Sequence, residues 1–391
     1  MNRPTPAPLR LAVAGGGTGG HTYPALTTIT AIAEELAEQG APLDVTWYGT
    51  NSGLEARVSR QHDVPFRPIA AGKVRRSLRP GALARNALDL ARVPVGVVQA
   101  VAHLVRHRRD VVLVTGGYTA VPLGLAAFLT RTPLVMHEQI TTLGLANRLL
   151  ARVATDVALT HPGSLEHLPR RARARATITG NPTRPALMTG RASKARAAHG
   201  LDPYLPLLYV TGGAQGSVQI NRLVAGALPE LLEHCQVLHQ AGPDNVTTAR
   251  ANVSELPPSL ADRYHLVPYV AEGLEDVFAA ADLVVSRAGA GTIAELTALG
   301  KPSVLIPLVP TAGDEQQNGA EAMADAGAAV ALVGAEATPP RLVEALLPLL
   351  KDSGRRQEMS TCAARLGRPD AAAALANLVV ARARKRHRRR S

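Results

Sequence analysis

Aromatic side chains are scarce in this 391-residue chain, at 3% of the residues, with one Trp and three Phe. Any core must then be built from Leu, Val and Ala, which fits an apolar content of 46%. Cysteine is scarcer still. Cys235 and Cys362 lie far apart with no metal-ligand spacing around them. That argues against a disulfide framework and fits a reducing, cytoplasmic compartment. No apolar run approaches the ~20 residues of a membrane span. Residues 1–6 lack the apolar segment of a signal peptide, so none is expected. His137-Glu138 lacks the second histidine of a zinc-binding H-E-x-x-H, since Thr141 stands in its place. Acidic residues are outnumbered, 31 against 43 basic ones. Seven of the twelve net positive charges fall in the last ten residues, which leaves +5 for the body. Three readings of that end stand: a solvated tail, attraction to anionic lipid headgroups, or nucleic acid. The last is weakened because no aromatic residues interleave with the basic ones.

What is present begins with Gly15-Gly16-Gly17-Thr18-Gly19-Gly20-His21. It follows the apolar run 9–14, read as a buried strand. A helical pattern follows it, opening at Pro24 and with Leu26, Ile29, Ala33 and Leu36 on one face. Such a strand-to-helix turn aims unpaired N–H groups and the positive end of a helix dipole at a ligand. Gly15-x-Gly17-x-x-Gly20 also fits a dinucleotide fingerprint. That reading needs an acid at the end of the second strand, and Asp44–Thr50 ends in Tyr, Gly and Thr.

The chain then repeats strand–helix units. A basic stretch over 71–80 precedes a helical region from about Leu83 to Arg106, read mainly as a core-facing helix with solvated arginines. Strands at 111–114 and 134–136 lead to Thr115-Gly116-Gly117-Tyr118 and His137-Glu138-Gln139. A boundary falls near Gly180-Asn181-Pro182. The second half restarts with a strand at 207–210 and the glycine turn 211–217. Strands at 236–239, 266–270, 283–285 and 303–307 follow. The turn Ser286–Thr292 again offers a helix N-terminus to a phosphate, and Glu295 just beyond can accept both ribose hydroxyls. The expected fold class is α/β, with two Rossmann-like doubly wound domains.

The order and spacing of several motifs resemble the MurG family. They are Gly16-Gly17-Thr18-Gly19-Gly20-His21, Gly116-Gly117-Tyr118, His137-Glu138-Gln139, Gly180-Asn181-Pro182-x-Arg184, Gly212-Gly213-x-Gln215-Gly216 and Arg287-x-Gly-Ala290-x-Thr292-x-x-Glu295. The resemblance implies a GT-B glycosyltransferase fold, with two such domains facing across a cleft. It implies an acceptor and membrane-side domain over 1–182, with a C-terminal helix near 370–385 packing back on it. A UDP-sugar domain over 183–368 and a basic tail over 382–391 complete the expectation. The implied activity is inverting transfer of N-acetylglucosamine from UDP-GlcNAc to the muramyl 4-hydroxyl of lipid I, giving lipid II. His21 and Glu138 are rival base candidates. Donor contacts would come from Thr18, Gly19, Gly20, Arg184, Ala214, Gln215, Gly216, Val270, Ala290, Gly291, Thr292, Glu295 and Gln316. Tyr118, Ile140, Lys73, Arg75 and Arg76 would lie on the acceptor side. The family uses arginine and helix dipoles where others use a metal, and no Asp-x-Asp occurs here, so no cofactor and no essential metal are expected. Expected partners are UDP-GlcNAc, lipid I, an anionic membrane surface and other cell-wall synthesis proteins, with no nucleic acid. The expected location is peripheral, on the cytoplasmic face of the cell membrane.

Three positions depart from the family pattern: Ile140 and Gly319 where asparagine is common, and Ala214 where serine is common. Each loses a side-chain hydrogen bond, ~0.5–1.5 kcal/mol. They imply a shifted sugar preference, weaker donor binding, or compensation by Thr141 and Thr142. Separately, two alternatives stay open: a related transferase acting on another lipid such as diacylglycerol, and a non-catalytic nucleotide-sugar sensor or scaffold.

Overall fold

The computed structural model of the chain describes residues 7–73, 80–251, 256–310 and 314–388. Their contacts divide into two units, residues 1–182 with 370–391, and residues 183–369. Each unit is built on one parallel sheet. The first holds β1 (Leu9–Gly15), β2 (Leu43–Gly49), β3 (Phe66–Pro68), β4 (Val111–Gly116), β5 (Leu134–Glu138), β6 (Asp156–Leu159) and β7 (Ala176–Ile178). Their order is β3-β2-β1-β4-β5-β6-β7. The second holds β8 (Leu207–Thr211), β9 (Gln236–Gln240), β10 (Tyr264–Val267), β11 (Leu283–Ser286), β12 (Ser303–Leu305) and β13 (Ala329–Ala331). Their order is β10-β9-β8-β11-β12-β13.

Both sheets are therefore doubly wound, and strand order reverses between β1 and β4 and between β8 and β11. Loops leaving the two strands at a reversal run to opposite faces and open a ligand crevice at the carboxyl edge. The central strands β4, β5, β8 and β11 are buried along their whole length. Helices on both faces explain why they read as unbroken apolar runs.

In the first unit α1 (Gly19–Glu38) follows β1 and α2 (Leu54–Gln61) follows β2. Next come α3 (Pro80–His107), α4 (Ala120–Leu129) and α5 (Leu145–Leu150). Helix α1 starts five residues before Pro24, earlier than the sequence reading places it. Proline is tolerated this near the N-terminus, where losing one i→i−4 bond leaves the rest of the helix intact. The buried face is Ala25, Ile29, Ile32 and Leu36, so Ile32 replaces the exposed Ala33. On α3, Ala100 and Leu104 are buried, but Val95, Val98 and Val105 are more than half exposed. Its apolar residues thus face both the core and solvent.

A C-terminal helix, Ala371–Arg388, packs beside α1. Leu375, Ala376, Val379, Val380 and Ala383 join the same apolar cluster as Leu11, Val13 and Ile29. Of the residues 382–391 read as a tail, 382–388 belong to this helix, and 389–391 lie outside the described residues. The helix continues to Arg388 because Arg382 pairs with Asp156 and Arg384 bonds Gln39, which ties the last turns to the body. Strands β3, β6 and β13 are additions that sequence periodicity did not show, being only three or four residues long. Strand β10 ends at Val267, before Pro268, which has no N–H to give a ladder.

Candidate functional site

The turn after β1 is held from below. Glu55, in the first turn of α2 and fully buried, accepts from Gly17 N at 3.1 Å, Thr50 N at 3.0 Å and Thr50 Oγ1 at 2.8 Å. Gly17 has φ +85°, and the Tyr118 ring lies where a side chain would point. Glycine is therefore required there. Thr18 caps α1 without a side-chain hydrogen bond, leaving its exposed hydroxyl beside the first N–H groups of the helix, those of Gly19 and Gly20.

His21 lies in the first turn of α1. Thr115 at the end of β4 clamps its backbone, Oγ1 donating to His21 O at 2.7 Å. The ring Nδ1 lies 2.9 Å from Gln139 Oε1 and 3.0 Å from Thr115 O. Burial lowers its pKa below the ordinary histidine value, against the raising effect of both hydrogen bonds. Beyond it, Gln139 Nε2 donates to Thr115 O and lies 3.3 Å from His137 Nδ1. His137 Nε2 lies 2.9 Å from Gly180 O. Burial drives the pKa of His137 down to about 4.

Glu138 has a different setting. It is 1% exposed, and its carboxylate accepts from the N–H groups of Gln139, Ile140 and Gly144 and from Asn147 Nδ2. Asn147 also donates to His137 O at 3.1 Å. Burial pushes Glu138 up to about 7, against the lowering effect of these donors. The residue thus fastens the loop into α5. Ile140 has its N–H on Glu138 and its carbonyl on Ser164 Oγ. Tyr118 follows β4 over the glycine turn, and Lys73 is exposed. Arg75 and Arg76 lie outside the described residues.

In the second unit the helix Ala290–Ala298 begins just after β11, its N-terminus carrying Ala290, Gly291 and Thr292 with no capping side chain. Glu295 sits one turn further on and pairs with Arg184 at 3.0 Å. Burial raises its carboxyl pKa, and Arg184 opposes that. After β8, Ala214 and Gln215 are exposed and Gly216 has φ +71°. A Cβ at Gly216 would meet Ala241 O at 1.8 Å, so only glycine fits. Arg287 braces this turn, donating to Ser217 Oγ, Gln219 Oε1 and Ile306 O. Gln240 ties it to the next loop: Nε2 donates to Gly213 O at 2.9 Å and Oε1 accepts from Val270 N at 2.9 Å. Val270 therefore keeps only its carbonyl for a ligand. Gln316, in the first turn of the helix Glu315–Asp325, accepts from Leu308 N. At Gly319 a Cβ would meet Ile293 Cδ1 at 2.7 Å, so an asparagine there would require the Ile293 side chain to shift.

The first unit thus gathers Thr18, Gly19, Gly20, His21 and Tyr118 around one strand reversal. The second gathers Gln215, Gly216, Ala290, Gly291, Thr292 and Glu295 around the other. Sequence reasoning gave no role to Glu55, Gln139, Asn147, Gln240 or Arg287. Gln139 and Arg287 stood inside quoted motifs; the other three carry no local signal. Among the described residues no three His, Cys, Asp or Glu side chains gather as a metal site.

Comparison with known proteins follows the same division. The glycosyltransferase family 28 N-terminal domain matches residues 11–159, and the glycosyltransferase family 28 C-terminal domain matches residues 207–375. The UDP-N-acetylglucosamine–N-acetylmuramyl-(pentapeptide) pyrophosphoryl-undecaprenol N-acetylglucosamine transferase of Thermus thermophilus is 41% identical, over 95% of this chain and 99% of that protein. The protein of the same name from Alkalilimnicola ehrlichii is 40% identical, over 94% and 98%. The crystal structure of Acinetobacter baumannii MurG aligns with a TM-score of 0.73 at 25% identity, over 96% of this chain and all of that one.

Proposed function

The chain belongs to the MurG family of glycosyltransferases, and on that premise we propose that it is the hexosyltransferase that converts lipid I to lipid II in peptidoglycan synthesis. Its donor is UDP-N-acetylglucosamine. Its acceptor is the muramyl 4-hydroxyl of N-acetylmuramyl-(pentapeptide) pyrophosphoryl-undecaprenol. The fold is GT-B, with two parallel-sheet α/β domains.

The observation that carries the reading is the His21 imidazole at the first strand reversal. Two carbonyl oxygens face its Nδ1, so Nε2 is left to take a proton. In the reaction His21 Nε2 takes the proton of the acceptor hydroxyl. That oxygen bonds C1 of the donor sugar from the face opposite UDP. The C1–O bond breaks, and its electron pair leaves on the diphosphate. One displacement inverts the anomeric centre. Glu138 is assigned to loop anchoring rather than to base chemistry, because four N–H groups occupy its carboxylate.

The departing UDP is held by the N-terminus of the helix Ala290–Ala298, whose positive end suits the developing negative charge, and by Arg184, which also pairs with Glu295. Glu295 takes the ribose hydroxyls, Val270 O the uracil N3–H, and Gln316 the sugar. In the first unit Thr18, Gly19 and Gly20 present hydroxyl and N–H donors, with Tyr118 over the adjoining Gly17. Peripheral attachment to an anionic membrane surface is supported by Val98 and Val105 of α3 and by Phe128 and Leu129 of α4. All four are exposed, and the two helices pack together. Among the described residues no helix is long and apolar enough to cross a membrane.

The test offers labelled UDP-GlcNAc and UDP-glucose to a lipid I analogue and to diacylglycerol, with and without a chelator. Transfer of N-acetylglucosamine to the lipid I analogue alone, unchanged by chelator, is the expected result. Transfer to diacylglycerol would assign Ile140, Ala214 and Gly319 to a different acceptor. No transfer with donor still bound would make the chain a sensor.

A further inference from the structure

We infer that Gln139 is a positioning residue that fixes which nitrogen of His21 carries the proton, through a one-way chain of hydrogen bonds ending on the backbone of Gly180. The inference rests on the reading of His21 as the base.

The direction of each link follows from groups that can act only one way. A carbonyl oxygen only accepts, so His137 Nε2, 2.9 Å from Gly180 O, carries a proton. His137 is buried and its pKa depressed, so the ring is neutral and Nδ1 is an acceptor. The Gln139 amide is oriented by the same logic. The atom against Thr115 O must be the NH2 nitrogen, since an oxygen there would face another lone pair. That nitrogen also lies 3.3 Å from His137 Nδ1, which can receive its second proton. Gln139 Oε1 is then left facing His21 Nδ1 at 2.9 Å and can only accept. His21 must answer with Nδ1–H, and the ring's free lone pair falls on Nε2.

Neutral imidazole in water prefers the opposite tautomer, so this arrangement has to be imposed. Gln139 is 4% exposed and His137 is fully buried, so water does not compete for these groups. Thr115 O, 3.0 Å from His21 Nδ1, shares the same proton. During transfer Nε2 takes the acceptor's proton, while the Nδ1 proton stays on Nδ1, hydrogen-bonded to Gln139 Oε1. The amide oxygen faces the positive charge that the ring gains, and it carries no charge that would hold the ring protonated between turnovers.

The experiment combines a tautomer readout with kinetics on the full-length protein. Nitrogen NMR of histidine-labelled protein, with the His21 signal assigned by its loss in His21→Ala, is expected to show neutral His21 protonated at Nδ1. A neutral ring protonated at Nε2 would overturn the inference whatever the activity. Gln139→Leu removes the acceptor at nearly constant volume. It is expected to lower kcat 10-fold or more while the KM for UDP-GlcNAc stays within 2-fold, and to add signal from the Nε2–H tautomer. Wild-type kcat in Gln139→Leu would also overturn it. The expected NMR result with no sugar transfer by the wild-type chain would uphold the hydrogen-bond chain and sink the transferase reading instead.

Discussion

His137 and Glu138 are neighbours on β5, and burial moves them in opposite senses. For Glu138 the folded pKa of about 7 stands above the ordinary 4.5. The folded state binds its proton more tightly, so this stabilising contribution is whole below about pH 4.5 and is lost as pH rises to about 7. For His137 the folded pKa of about 4 stands below 6.5, so its contribution is present above 6.5 and is lost as pH falls toward 4. The two slopes oppose each other over one window. Urea denaturation of Glu138→Gln from pH 4.5 to 7 is therefore expected to show stability rising more steeply than in wild type. The gap between the two should change by about 3 kcal/mol across the window; parallel curves would contradict it. Glu295 is tested by donor kinetics. Loss of a carboxylate hydrogen-bonded to ribose costs about 1.5–3 kcal/mol, so Glu295→Ala should raise the donor KM on the order of 10- to 100-fold. Unchanged donor kinetics would remove that assignment. His21 and Glu295 were legible because each stands at a strand-to-helix turn that sequence marks with glycine. Glu55 was not, because the turn it holds lies 38 residues earlier in the chain, and a first-turn acid looks the same whether its partner is a helix dipole or a buried N–H.

At the scale of elements, the sequence showed what periodicity and glycine punctuation can show. The long central strands β1, β4, β8 and β11, and the helices that follow the glycine turns, stood out as apolar runs or as amphipathic faces. Edge strands β3 and β13 did not, since three residues carry no period. The end of the C-terminal helix was misread for a different reason. The basic residues at its end suggest solvation, while its order comes from Asp156 and Gln39, which are distant in sequence. The apolar side of that helix gives a direct test. Leu375 is fully buried, so Leu375→Ala should cost about 2–5 kcal/mol, read by thermal or urea denaturation. Deleting residues 370–391 should leave the first unit misfolded or aggregated, because it uncovers the apolar face of α1 and β1.

The molecule as a whole carries four apolar clusters among its described residues, two to each unit, and none draws residues from both. Separate cores predict separable unfolding. Calorimetry should resolve a transition that Leu375→Ala lowers, belonging to the first unit, and another that UDP-GlcNAc raises. At 100 times its dissociation constant the donor adds about 2.7 kcal/mol to whatever binds it, enough to move that second transition by several degrees. A shift of both transitions by the same amount would place donor binding outside the second unit alone. The way the chain is shared between units also sets a timetable. Residues 183–369 form an uninterrupted stretch, whereas the first unit needs the helix Ala371–Arg388 to cover its sheet. On the ribosome the half that is made first must wait, its apolar face uncovered, until the helix Ala371–Arg388 has been translated and has left the tunnel. The half that is made second can finish before it. A stop before the helix Ala371–Arg388, or a bulky insertion within it, would fall on the amino-terminal unit.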